Sequence, residues 1–427
     1  MITTRLCSRS ICFQTLLLVC VGVAVPAAVA SDWAGFRGPG SRGISDDADI
    51  PTEWNDDQNL KWRLEMPGAG YSSPIVVKDR VFVTCYTDAA GDLSSLKRHL
   101  LCIDRNSGQI QWAKVIPSTV RERPVPSFAG RPGYASHTPV SDGERVYVLF
   151  GNSGVLAFDM KGQQLWQQDV GTQSASMFGS AASPILYKDH VIVMAGSESE
   201  SLRALNKLTG DEVWKTEADS FSRSYATPVI VTNQQGIAEM LLPVTSEVWS
   251  MNPDNGKLKW YAEARIDTNA CPSVVADDGV AYVIGGRSGG RTAIRLGGRK
   301  DVTESHVLWS RNGGSYVPSP VLHEGHLYWV NDKGIANCIH IRTGEETSRK
   351  RLNGQFYASI VLIGKHLYAV SRFGGTHVLE ATPDLTPIAH NELTDDSDFS
   401  ASPAVSDGHL FLRSDRFLYC IAADERQ

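Results

Sequence analysis

Three stretches of this chain carry residue types that could do chemistry. His323-Glu324-Gly325-His326 offers two imidazoles and a carboxylate. A hydrolytic zinc pair needs its histidines at i and i+4 on a helix, whereas these stand at i and i+3 on a two-residue turn between strands, so no metal site is expected. Thr394-Asp395-Asp396-Ser397-Asp398 is rich in acid. A calcium loop alternates its oxygen ligands around a turn glycine, and this run lacks one, so a solvated loop is expected. Gly285-Gly286-Arg287-Ser288-Gly289-Gly290-Arg291 has the glycines of a phosphate loop but no helix start to supply a dipole. Positions 287–300 hold five positive charges and no acid. That pattern reads as a long solvated hairpin, or as a patch that docks an anion or a partner. No Ser-His-Asp, paired-carboxylate or cysteine-nucleophile arrangement can be assigned.

The elements that must position such residues come from a repeat. A phrase of small residue, proline, apolar strand, polar turn and second apolar strand recurs eight times near a 44-residue spacing. Its prolines are Pro74, Pro139, Pro184, Pro228, Pro272, Pro320 and Pro403, with Ile360 in the seventh copy. A second phrase runs in phase, glycine four residues before tryptophan: Gly108 and Trp112, Gly162 and Trp166, Gly210 and Trp214, Gly256 and Trp260. Each unit reads as four short alternating strands separated by Gly, Asp and Asn turns. Four-stranded units at this period are propeller blades, so the expected fold is an all-β, eight-bladed propeller over 59–425. The last copy ends after its third strand at Leu418-Tyr419-Cys420-Ile421, and Asn59-Leu60-Lys61-Trp62-Arg63 is expected to supply its fourth. Trp62, Trp112, Trp166, Trp214, Trp260 and Trp309 are then wedges between blades. Ser348 and Ala389 stand at the matching positions of blades six and seven, whose outer edges should be held less firmly.

Composition bounds the setting. The chain has 427 residues and a net charge of −6, ordinary for a globular protein. Arg5 and Arg9, an apolar run over 13–25 and Ala28-Val29-Ala30 have the order of a secretory signal, cleaved near Ala30. Its removal takes the net charge to −8 and leaves no stretch apolar enough to span a membrane. Residues 31–58 form a lead-in. Export to a periplasmic or extracellular space follows, and an acidic exported protein is not expected to bind nucleic acid. The mature cysteines Cys85, Cys102, Cys271, Cys338 and Cys420 have no zinc or redox spacing. They are expected to be buried thiols, with a Cys85–Cys102 pair across one hairpin left open.

The repeat also predicts where binding residues gather. Loops entering first strands share a face with the turns between second and third strands. That face collects Tyr71, His137, Arg223, Tyr225, Tyr316, Phe356, Tyr357 and Phe399, with Arg372 and Arg413 after second strands. Blades one and two are 65 residues apart rather than 44, and the excess carries Arg121, Arg123, Phe128, Arg131 and Tyr134. Arg287 and Arg291 complete the candidate set. Aromatics with Arg at a channel mouth suit sugars, peptides or quinone-like rings, or simply line the channel.

Leu101-Cys102-Ile103-Asp104 with Ser107-Gly108 and Trp112, and Leu205-Asn206 with Thr209-Gly210 and Trp214, resemble the pyrroloquinoline-quinone-type propeller repeat over about 59–423. The overall likeness is to exported propellers similar to BamB, the propeller subunit of the outer-membrane β-barrel assembly machinery. The resemblance implies either a scaffold that binds an envelope protein or glycan, or a quinone-dependent dehydrogenase or its non-catalytic relative. Quinoprotein dehydrogenases carry adjacent cysteines and a calcium-ligand set. This chain has no Cys-Cys and no aligned ligands, so pyrroloquinoline quinone and calcium are not expected. The favoured reading is a monomeric, non-enzymatic binding module.

Overall fold

The computed structural model describes residues 1–2, 32–47, 49–89, 93–124, 133–173, 175–287 and 289–424. The signal-like segment at 3–30, together with Phe128 and Arg131, lies outside them. Eight antiparallel sheets radiate in sequence order. Blade 1 consists of Ile75–Val77, Arg80–Thr87, Lys97–Asp104 and Ile110–Pro117. The first strands of blades 2 to 8 are Val140–Ser141, Ile185–Tyr187, Val229–Thr232, Val275–Asp277, Val321–His323, Val361–Ile363 and Ala404–Ser406. Second and third strands are buried on both faces, as in Arg80–Thr87, because each blade is sandwiched between two others. Fourth strands alternate, as in Leu60–Glu65, because one face meets solvent at the rim.

The ring closes as expected. Leu60–Glu65 pairs antiparallel with Phe417–Ala422, placing Trp62 opposite Cys420, so main-chain hydrogen bonds join the two ends of the propeller. The Gly-x-x-x-Trp phrase acquires a physical cause. Each indole N–H donates to a carbonyl in the next blade's last turn: Trp62 to Arg105, Trp112 to Met160, Trp166 to Lys207, Trp214 to Pro253 and Trp309 to Ile341, at 2.8–3.1 Å. The glycine of that turn lies against the ring. A Cβ on Gly108 would come within 2.7 Å of Trp62, and one on Gly210 within 2.7 Å of Trp166.

Three departures were not legible. In the fifth blade Pro272 stands two residues early: Ser273 and Val274 occupy the places of the small residue and the proline. Its last turn is replaced by an excursion in which Lys300–Asp301 pairs parallel with Trp260 and Tyr261 of blade 4. Trp260 therefore has no turn carbonyl and donates instead to the buried carboxylate of Glu239, at 2.9 Å. Lys259, Asn233 and Ser250 donate to the same group. Burial would raise this carboxyl, but the hydrogen bonds from Lys259 and Trp260 outweigh it and hold it below its ordinary range. The expected single hairpin at 287–300 is thus split between a strand, Gly290–Arg295, and this outer excursion.

The lead-in is the third departure. It adds to the inner edges of the blades and crosses the channel beside the short first turns. Trp33 pairs with Val76, the Ala34 carbonyl accepts Ser141 N–H, and Ile44–Ser45 pairs parallel with Leu362 and Ile363. Asp32 and Asp47 accept N–H groups of Lys78 and Gly408 in those turns. Trp54 then stacks on Tyr368 at 6.1 Å and joins the cluster against which Ala389 packs. Blades 6 and 7 have other contacts at the places of their missing tryptophans. Ser348 donates to the Pro383 carbonyl, and Trp54 supplies an indole from elsewhere in the chain.

Candidate functional site

The second residue before each first strand is small and hydroxylic for a reason beyond space. Ser73 N–H donates to Thr138 Oγ1, Thr138 N–H to Ser183 Oγ, and Ser183 N–H to Thr227 Oγ1, each at 3.0 Å. On the other side Ser273, Ser319, Ser359 and Ser402 donate in turn to Ser319, Ser359, Ser402 and Ser73, at 2.9–3.0 Å. One join differs: between Thr227 and Ser273 the serine hydroxyl donates to the Thr227 carbonyl at 3.1 Å. These bonds form a girdle around the channel that satisfies buried backbone N–H groups where no sheet ladder can reach them.

The girdle is the wall of a funnel of about 210 Å³. Phe36 of the lead-in lines its closed end, and Tyr71, Phe178, Tyr225, Tyr316 and Tyr357 form an aromatic collar above the girdle. Arg287, exposed at the mouth, lies over the Tyr316 ring at 4.6 Å. Beside the collar Arg372 stacks on Tyr357 at 4.4 Å and pairs with Asp398, which also accepts the Tyr71 hydroxyl. Burial and that carboxylate push the Tyr71 phenol up, keeping it a neutral donor. Asp395 accepts from Ser397, Ser414 and Tyr419. Asp395 and Asp398 are therefore paired structural carboxylates, while Asp396 between them is exposed to solvent.

Several predicted binding residues face elsewhere. Arg291 is buried and donates to the carbonyls of Gly313 and Gly344. Arg413 is buried and donates to Ser72; desolvation lowers it to about 10. Both brace backbone. Arg223 is exposed at the end of the turn Asp219–Arg223, away from the funnel lining. Cys85 lies opposite His99 and Cys102 opposite Phe82, and both thiols are free, so the hairpin carries no disulfide.

The insertion after blade 1 is anchored by a residue the sequence reading missed. Glu122 is buried and pairs with Arg98 at 2.6 Å, while Asn152 and Ser118 donate to it. Arg123 and Tyr134 border the small polar cavity beneath, and the Tyr134 hydroxyl donates to the Arg123 carbonyl. Within that cavity His137 Nε2 meets Ser180 Oγ at 2.9 Å, and Glu198 is buried with one carboxylate oxygen unpartnered. Burial raises Glu198 to about 7 and lowers His137 to about 3. Lone acids between polar neighbours give no sequence signal; only the chain crossing exposes Glu122 and Glu198.

The described residues lining the funnel do not offer the donor set of a calcium ion. Calcium takes six to eight oxygens, carboxylates among them, and no carboxylate is among the described residues lining the funnel. Its one cysteine, Cys271, has no neighbouring thiol, and burial pushes it up to about 12.

Residues 60–233 and 97–350 match the family described as outer membrane protein assembly factor BamB. The chain belongs to this family. Among solved structures, the BamB propeller from Moraxella catarrhalis is 12% identical, with a TM-score of 0.62 over 86% of this chain and 98% of that one. The quinohemoprotein alcohol dehydrogenase from Comamonas testosteroni is 10% identical, with a TM-score of 0.66 over 93% and 81%. A europium-containing methanol dehydrogenase, also 10% identical, reaches 0.68 over 92% and 98%. At these identities the BamB and dehydrogenase structures share the fold with this chain. No curated protein sequence matches it. Among the described residues no helix is long and apolar enough to cross a membrane.

Proposed function

We propose that this BamB-family propeller is a non-enzymatic, monomeric binding module exported to the cell envelope, where it takes a protein or glycan at its loop-rich face. The observation that carries this reading is the blind funnel: the lead-in closes one end, and the other opens through an aromatic collar with Arg287 at its rim. Such a concave, mostly apolar site with a few convergent polar groups is built to bind. Asp398 beside it is paired with Arg372, and no carboxylate is among the described residues lining the funnel. No cofactor enters the reading. Capture from the protein's own envelope tests it. Arg287→Ala with Tyr316→Ala should lose the captured species, and Lys188→Ala on the short-turn face should retain it. Loss from the turn-face change alone would place the working surface on the other side.

A further inference from the structure

The girdle carries a consequence for ligand chemistry. Each of its seven wall hydroxyls spends an oxygen lone pair on a neighbouring backbone N–H. A hydroxyl has one hydrogen to donate, and among the described residues none of these seven donates to a protein acceptor. The wall is therefore a ring of O–H donors turned over to whatever fills the funnel. No carboxylate is among the described residues of its lining.

The charges agree. In a chain of net charge −6, Arg287 stands at the mouth, and Arg37 lies buried in the lead-in next to Phe36. The Arg37 guanidinium donates to the carbonyls of Arg42 and Pro320 and does not line the funnel, so among the described lining residues Arg287 is the cation an occupant meets.

Size and shape narrow the class. A cavity of about 210 Å³ is smaller than the roughly 300–1,000 Å³ of pockets that enclose drug-sized ligands, so it admits one ring-sized group. With Phe36 closing one end, that group is the end of a chain rather than its middle. Tyr and Phe side chains around a ring-sized space pack on the C–H faces of a sugar while the hydroxyls meet its oxygens. The geometry points to an acidic terminal sugar, bearing a carboxylate or sulfate, as the occupant of the funnel. This rests on the funnel being the binding site proposed above.

Calorimetric titration of the full mature chain tests it with three probes: a trisaccharide ending in galacturonate, one ending in 6-sulfated galactose, and neutral galactotriose. Saturable binding of an acidic probe, at least tenfold tighter than the neutral one and weakened tenfold or more by Arg287→Ala, is expected. Preference between the two acidic probes identifies the anion. Equal binding of the neutral sugar overturns the anionic assignment. Binding of a glutamate-rich peptide with none of the sugars overturns the saccharide assignment while leaving a binding module in place. Absence of binding by any probe at millimolar concentration overturns the inference, and envelope capture then decides separately whether the funnel binds anything. Thermal melting of Arg287→Ala, an exposed residue, should match the parent and keeps misfolding out of the comparison.

Discussion

Trp62 donates its indole N–H to the carbonyl of Arg105 at 2.8 Å, joining the strand that completes blade 8 to the last turn of blade 1. The two residues lie on either side of the ring's closure, so this wedge secures the seam. Trp62→Ala should cost about 3–5 kcal/mol through the cavity it leaves. Trp62→Phe, which keeps most of the packing, should still lose about 1 kcal/mol for the hydrogen bond. Urea unfolding measures both, and an alanine cost under about 1 kcal/mol would mean that the closure does not depend on this wedge.

Thr138→Val preserves shape but removes the acceptor for Ser73 N–H in the girdle. Leaving that buried donor unmatched should cost about 1–3 kcal/mol. A valine variant as stable as the parent would show that the girdle does not hold the blades.

Glu198 sets a pH dependence. Burial raises it from 4.5 to about 7, so the folded chain holds a proton that the unfolded chain releases. The stability it contributes is fully present below about pH 4.5 and is lost as pH rises through about 7. Glu198→Gln should therefore match the parent near pH 4 and exceed it by a few kcal/mol at pH 8. His137, lowered from 6.5 to about 3, acts the opposite way and destabilises the fold as pH falls below 6.5 in both proteins. A parent-minus-variant difference that is flat from pH 4 to 8 would refute the Glu198 assignment.

Trp54→Ala tests the lead-in as a structural member. Trp54 is buried, stacks on Tyr368 and donates its backbone N–H to the Asn391 side-chain oxygen. Its loss should cost about 3–5 kcal/mol and loosen blade 7, read as faster amide exchange in Pro387–Asn391. Unchanged exchange there would mean that the lead-in merely rests on the propeller.

Incubation with pyrroloquinoline quinone and calcium should give no saturable binding and no alcohol-dependent dye reduction, because the described residues lining the funnel offer no carboxylate for the ion. Stoichiometric micromolar binding would favour the dehydrogenase alternative.

The sequence by itself determined the architecture. Blade count, strand order, the closing strand and the inter-blade tryptophans follow from local period and turn chemistry, which a repeat writes out many times. It also placed Tyr71, Tyr225, Tyr316, Tyr357 and Arg287 at one mouth, because their phase relative to the first strands fixes the face. What it could not decide were contacts between residues far apart in the chain. Arg291 and Arg413 look like mouth cations by phase, yet each turns onto backbone carbonyls that only the neighbouring strands supply. Asp395 and Asp398 look solvated because Arg372, Ser414 and Tyr419 reach them from other blade segments. The lead-in has no repeat to announce it, and its position across the channel rests on hydrogen bonds to first strands up to about 360 residues away. Tertiary structure alone turned an open channel into a closed-ended funnel, since burial and pairing across such separations carry no local signature.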